Sequence, residues 1–437
     1  MRNRFLSLVV LATFAAPLSL IAQADGGAPQ PISLADAVSR AQASSPLTVQ
    51  ARSASRVADA TFTSAIAAFL PSVSLGQSAY RVNGQNFFQG SLISTSSQWS
   101  YQKGYSMNLT LFDGGQRILQ FVQDRANKVA ADQNQVIQRY AIALNVKQQY
   151  FAVLAAREAE AAAEQQLAEA NEQMAVTAAR IAGGAAPRSD SLASAVTVGT
   201  ARLALITAQG QLVTANAALT RDVGGDHEVT ATPADTALVP DIGVDSATLI
   251  RLALAGPGVR QAQEVLNANH AGRWAAIARY LPTLGVQYGY SRFYSTPHFI
   301  LGGGSPVSNQ QLYYYASYSL FDNFRREVNL VTAGTNADIA KAQLRDAQLA
   351  ARENVDQYLA QFRTAEATIE LQHLQIEAAQ ANVAASDAQY RAGAKTLLDV
   401  LTAQSTLATA RQNLIQARLA ARTAKAQIEA LIGKDLE

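Results

Sequence analysis

The sequence predicts an internally duplicated α+β membrane protein in which β-hairpins alternate with very long helical hairpins. Three observations carry that prediction. One unit occurs twice at a spacing of roughly 210 residues, far beyond the period of a solenoid repeat. Pro71 recurs as Pro282, Leu111-Phe112-Asp113 as Leu320-Phe321-Asp322, Tyr150 as Tyr358, and the turn around Gly184 and Asp190 as that around Gly393 and Asp399. After each Leu-Pro, two stretches alternate apolar and small polar residues. Ala- and Gln-rich stretches with heptad spacing follow, too long and thin for an ordinary globular core.

The 437-residue chain begins with Arg2 and Arg4, then an apolar run from Phe5 to Ile21, then Ala22-Gln23-Ala24. Residues 1–24 therefore read as an export signal with small residues around a cleavage point. A membrane anchor is the alternative, but Pro17 interrupts the run, which falls short of the roughly 20 apolar residues a spanning helix needs. No other stretch reads as a spanning helix. The chain is 49% hydrophobic, but much of that is Ala, a helix former at home on close-packed or wet faces. Loss of Arg2 and Arg4 leaves 33 basic against 33 acidic residues, so no global basic field attracts nucleic acid. The absence of cysteine excludes disulfides, thiolate metal sites and a lipidated N-terminal cysteine.

From Gln98 to Leu111, Trp99, Tyr101, Tyr105, Met107, Leu109 and Leu111 point one way, with Lys103 as their one charge. Ser100, Gln102, Gly104, Ser106, Asn108 and Thr110 point the other way. A soluble strand would place charges on its wet face; small uncharged polar groups over a bilayer-crossing length suit a wet lumen. Val73, Leu75 and Ala79 repeat the pattern, as do Leu284, Val286, Tyr288 and Tyr290, and then Tyr314, Ala316, Tyr318 and Leu320; Tyr313 and Tyr315 fall on the polar side of that last strand. Four strands cannot close a barrel, and a bilayer does not tolerate open edges, so transmembrane strands require oligomerisation. Tyr80, Phe87, Phe88, Trp99, Phe293, Tyr294, Phe299 and Tyr313 near the strand ends suit an interfacial girdle. The connections Val82 to Ser97 and Ser295 to Asn309, rich in Gly, Ser, Asn and Gln, read as exposed loops.

In the second copy Val400, Leu407, Leu414, Ala421 and Ile428 recur every seventh residue, beside Ala403, Ala410, Ala417, Ala424 and Leu431. The first copy keeps Val198, Leu205, Leu212 and Leu219 beside Ala201, Ala208 and Ala215. These are a/d seams, and Ala at d allows close approach of many helices or of one pair. The helices leading into them, about Gln116 to Ala182 and Arg325 to Ala392, span on the order of 100 Å. The organisation is thus repeat 1 at 25–223, with a transmembrane β-hairpin at 72–112 and a helical hairpin at 115–222. The polar linker at 224–245, with Pro233 and Pro240, is read as equatorial, outside the helical layer. Repeat 2 covers 246–437, with a β-hairpin at 283–321 and a helical hairpin at 325–432.

From Ile32-Ser33-Leu34, Ala37-Val38 and Pro46, through both Leu-Pro and both Leu-Phe-Asp motifs, to Leu431-Ile432-Gly433, the mature chain resembles the TolC-like outer-membrane channel family. That family serves efflux pumps and type I secretion systems. The resemblance implies a homotrimer: a β-barrel with four strands per protomer, continued by a long periplasmic α-helical coiled-coil barrel. It also implies a place in the outer membrane of a Gram-negative bacterium and contact with outer-membrane lipid. The implied partners are a periplasmic adaptor (membrane fusion) protein and an inner-membrane transporter of RND, ABC or MFS type. The chain would be the exit duct, passing substrates outward through a gated pore.

In such channels a Tyr, a basic residue and acidic residues at the inner helical tips close the periplasmic entrance. Tyr390, Lys395 and Asp399 match those positions, and Ser189 and Asp190 match their facing partners. Thr402 stands where some members carry a second acidic residue, and Lys395 in place of Arg loses planar bidentate geometry. Pro187 and Arg188 are further local differences. Gly184, Ala185, Gly393 and Ala394 form the tip turns, where the adaptor would dock. Asp190 and Asp399 also stand where a carboxylate caps a helix N-terminus, and the two roles are compatible.

Nothing assembles catalytic chemistry. His227, His270, His298 and His373 are dispersed without metal-ligand spacing. Gly302-Gly303-Gly304 lies in a loop rather than between a strand and a helix. The expectation is a non-enzyme without cofactor or nucleic acid. The competing class is a non-conducting exported coiled-coil scaffold or adhesin anchored in the outer membrane by its hairpins; the polar strand rows favour a pore.

Overall fold

The computed structural model describes residues 29–81, 83–96, 99–225, 227–233, 242–294 and 307–436. The export signal, Pro240, His298, Phe299 and Gly302 to Gly304 lie outside them.

Strand β1 (Gln30–Ile32) leads into helices α1 (Leu34–Ser44) and α2 (Pro46–Ala67), then strands β2 (Ser72–Tyr80), β3 (Asn83–Phe88), β4 (Ser91–Ser96) and β5 (Ser100–Phe112). The helical hairpin α3 (Gln116–Ala182) and α4 (Arg188–Val223) completes the first copy, and β6 (Val229–Ala231) follows. The second copy comprises α5 (Ser246–Leu254), α6 (Pro257–Ala278), β7 (Thr283–Tyr294), β8 (Val307–Ser317), α7 (Arg325–Arg391) and α8 (Leu397–Ile432). Both α3 and α7 are 67 residues long and both α4 and α8 are 36.

One antiparallel sheet, ordered β2-β5-β7-β8, joins the copies through β5 and β7 and leaves β2 and β8 as its edges. Its register keeps the alternation. Val73, Met107, Tyr288 and Leu312 form one row, and Ser74, Ser106, Gly289 and Gln311 lie on the other face. Tyr315, on the polar face, pairs with Gly285 and covers it: a Cβ there would sit 2.3 Å from the Tyr315 ring. Tyr313 stacks on Tyr315 at 6.0 Å.

The helical cores are the heptad seams. Val400, Leu407, Leu414, Ala421 and Ile428 are all buried, as are Ala403, Ala410, Ala417 and Ala424; from Leu414 to Ile428 the seam packs with Val355, Leu359 and Phe362 of α7 and Leu249 of α5, while Val400 packs at the far end with Tyr390. In the first copy the Ala row is buried at Ala201 and Ala208, while Val198, Leu205 and Leu212 stay half-buried. A second core sets Val146, Tyr150 and Leu154 of α3 against Leu219 and Val223 of α4 and Ala37 and Ala41 of α1. Helix α3 also contacts α6 and α8, so it ties the copies together. Arg411 and Arg418 of α8 extend that tie to Glu169 and Glu158 of α3, at 3.2 and 3.1 Å.

Three expectations change. Within the Val82 to Ser97 connection, β3 and β4 pair antiparallel around Gln89 and Gly90, both at positive φ, a conformation that suits a tight two-residue turn. The fourth strand stops at Ser317, so Tyr318 and Leu320 lie beyond it. Within the linker, Val229–Ala231 is buried and pairs parallel with β1, and Tyr150 fastens the pair by donating to Ile32 O at 3.1 Å and accepting from Thr232 N at 3.0 Å. Finally, α4 is long and apolar enough by length and composition to cross a membrane. Its exposed Leu192, Val196, Leu203, Ile206 and Val213 stand four, seven, three and seven residues apart, which makes an apolar stripe along one helix face.

Candidate functional site at the helical tips

The two tips share one backbone solution. At the first, Gly184 (φ 71) lets the chain leave α3, with Gly184 N donating to Ile181 O and Ala185 N to Arg180 O. At the second, Gly393 (φ 79) does the same, with Gly393 N donating to Tyr390 O and Ala394 N to Gln389 O. These are Schellman closures, in which a left-handed glycine satisfies the last helical carbonyls.

The turns diverge at the next helix starts. Thr396 is the N-cap of α8 and forms a full capping box with Asp399: Thr396 N donates to Asp399 Oδ2 at 2.9 Å, and Asp399 N donates to Thr396 Oγ1 at 3.4 Å. The Thr396 hydroxyl, its backbone N–H and the neighbouring Lys395 charge hold the Asp399 carboxyl below its ordinary range. At the corresponding N-cap of α4 stands Pro187, with no side-chain cap. Proline has no N–H to offer a carboxylate, so a capping box cannot form there. Asp190 faces the second copy instead, with Oδ2 3.4 Å from the Tyr390 hydroxyl.

Tyr390 is buried, packed with Leu397 and Val400 and against Val176. Its hydroxyl is also 3.5 Å from Thr177 Oγ1, which accepts from Ser194 at 3.3 Å. Arg180 of α3 reaches across to it. The guanidinium lies 4.1 Å above the Tyr390 ring, donates to Tyr390 O, and donates to Ala185 O at 3.0 Å. This single side chain clasps the two hairpins together.

The structure therefore brings Tyr390 and Asp190 together. Lys395 does not reach Ser189 or Asp190 of its own chain; its Nζ bonds Ser386 at 3.1 Å. Asp399 is engaged in its cap. Arg180 was missed in the sequence, although a cation in the last helical turn four residues before a glycine is a visible signal. Among the described residues no His, Asp and Glu group converges to hold a metal ion. The tips offer hydrogen bonds, charge and packing that join the two copies.

The sequence matches the outer membrane efflux protein family over residues 37–225 and 249–434. It is 26% identical over 356 residues to the outer membrane efflux protein BepC of Brucella suis biovar 1 (strain 1330), covering 79% of this chain and 75% of that protein. The fold is similar to that of the outer membrane protein VceC of Vibrio cholerae (TM-score 0.78, 16% identity, 92% of this chain and 97% of that one). It is also similar to the open state of the Neisseria gonorrhoeae MtrE outer membrane channel (TM-score 0.77, 18% identity, 92% and 89%).

Proposed function

The chain belongs to the outer membrane efflux protein family, at home in the Gram-negative outer membrane with a periplasmic helical extension; from that premise we propose that three copies form a gated exit duct. The observation that carries the proposal is the four-stranded sheet with two open edges. Leu75 is 88% and Tyr314 68% exposed on edge strands whose other face is polar. A lipid-facing sheet must close on itself, and joining β8 of each protomer to β2 of the next would close it. The apolar stripe on α4 would then find its cover against a neighbouring protomer, which explains its hydropathy without a membrane span.

The duct serves as the outer part of a tripartite efflux pump or a type I secretion system, and the relative's name favours efflux. The periplasmic adaptor would meet the turns at Gly184, Ala185, Gly393 and Ala394, and an inner-membrane transporter would supply the energy. Tyr390 with Asp190, and Lys395 with Ser189 or Asp190 of the neighbouring protomer, would latch the entrance. Three copies of Asp399 around the axis would attract multivalent cations. Purified protein in planar bilayers tests the duct and the latch together. The wild type should insert as a trimer and conduct, and the Tyr390→Phe/Lys395→Ser double variant should conduct several-fold more. A monomer that does not conduct would leave the scaffold reading standing, and unchanged conductance in the double variant would remove the latch.

A further inference from the structure

The membrane sheet carries an unusual charge pattern. Between Ala60 and Phe112, and again between Thr283 and Phe321, the chain contains no Asp or Glu. It contains Arg81, Lys103 and Arg292. Lys103 and Arg292 are direct cross-strand partners on β5 and β7, in the row Gln77, Lys103, Arg292 and Ser308. Like charges directly opposite one another destabilise a sheet pair, and neither takes part in an ion pair among the described residues.

Register puts both cations on the apolar face, between the row of Tyr105 and Tyr290 and the row of Tyr101 and Tyr294. The tyrosines hold them. Lys103 Nζ lies 4.8 Å from the centre of the Tyr294 ring, and Arg292 Nε donates to Tyr290 Oη at 2.5 Å. Because β5 and β7 are the central strands, the pair lies wholly within one protomer. It also lies at a defined depth. Nine residues separate Lys103 from the helix-proximal end of β5 at Phe112, which at a tilt of about 45° places it roughly 20–25 Å away, the height of the apolar band. The cations thus sit at the far boundary of the hydrocarbon, on the side away from the periplasmic helices, and Arg81 follows the outer end of β2.

We propose that Lys103 and Arg292 form a binding site on the outer barrel wall for the phosphate of a phosphorylated outer-leaflet glycolipid of the lipid A type. The site rests on the barrel reading above. A bound phosphate relieves the repulsion of the pair and presents acceptors to both cations, while the tyrosine rows line the acyl chains and sugar edges. Charge complementarity commits it to this occupant: the sheet offers cations and no carboxylate at the depth where that leaflet places its phosphates.

The test uses the intact trimer in mixed micelles, with retained lipid counted by native mass spectrometry. The probes are bisphosphorylated lipid A, the same lipid A dephosphorylated, and phosphatidylglycerol. Wild-type protein should retain the phosphorylated lipid A about tenfold better than either other lipid, and Lys103→Gln/Arg292→Gln should lose that preference. Arg292→Lys should keep most of it. Equal retention of all three lipids by the wild type, retention of phosphatidylglycerol as tight as lipid A, or an unaltered preference in the Gln double variant would each overturn the site. Conductance of the same preparations separates the two levels: a conducting wild type without lipid preference removes the site alone, whereas a chain that neither inserts nor conducts removes the barrel and the site with it.

Discussion

Removing the Arg180 guanidinium should loosen the tips by an amount that can be worked from its contacts. It makes two hydrogen bonds as a charged donor, to Tyr390 O and Ala185 O, and lies 4.1 Å above the Tyr390 ring. A hydrogen bond to a charged group contributes about 1.5–3 kcal/mol and a cation–π contact about 0.5–2 kcal/mol. Arg180 is half-buried, and its Nε is buried without a partner, so the low ends apply. Arg180→Ala should then weaken the clasp by about 3.5 kcal/mol, which raises the population of opened tips several hundredfold. Hydrogen exchange in the intact protein reads this directly at the amides of Gly393 and Ala394, which are bonded to Tyr390 O and Gln389 O. Arg180→Lys should give an intermediate result, because it keeps the charge and loses the planar fork. Exchange rates in Arg180→Ala equal to wild type would refute the clasp.

Two further outcomes follow from the same geometry. Thr396→Ala should destabilise the α8 start by about 1 kcal/mol, seen as faster exchange confined to Asp399 and its neighbours. The cap should also be acid-sensitive. The folded Asp399 carboxyl titrates below its unfolded value, so its contribution is complete above about pH 4 and is lost as pH falls through the folded value. An exchange profile at the α8 start that is flat down to pH 2 would argue against it. Where the end of α8 meets α3, Lys147 lies 2.5 Å from Glu429 and 3.1 Å from Asp435, with both Lys147 and Glu429 largely shielded. Burial opposes its charge, but Glu429 and Asp435 outweigh that and hold the Lys147 pKa above the ordinary lysine value. Lys147→Met should cost about 3 kcal/mol by stranding Glu429. The stability this lysine adds is complete below about pH 10 and is lost as pH rises through its folded value. Thermal unfolding of Lys147→Met and wild type that coincides at neutral pH would reject this.

What the sequence disclosed follows from period and repetition. The β2, β5 and β7 alternation is legible because each strand separates a wet from an apolar face, and the α8 seam because its Val, Leu and Ile fall at every seventh residue. Strands β3 and β4 lack that alternation and are held by backbone pairing, while β1 and β6 have three residues each, too few to show a period. Tyr318 and Leu320 continue the alternation past Ser317, so the pattern extends beyond the end of the fourth strand. At the tips, Tyr390 and Asp190 are visible by position, but Arg180 acts on a residue 210 positions away, and no local pattern encodes such a contact.

The difference between the copies that matters most is the N-cap residue, with its backbone N–H and its hydroxyl. Threonine at 396 has both, so Asp399 folds back to complete its own cap and is held locally. Proline at 187 lacks both, so Asp190 has no local partner of that kind and turns toward Tyr390 of the other copy. The two tips each carry an acid three residues into the second helix, and the N-cap decides its use: after Thr396 the acid completes a cap, and after Pro187 it faces across. The Tyr390 hydroxyl has Asp190 at 3.4 Å and Thr177 at 3.5 Å, both at the long limit of a hydrogen bond. It can donate to only one of them at a time. A contact this loose adds little stability, and it lets Tyr390 exchange partners without first breaking a strong bond, as a residue must if the tips are to move.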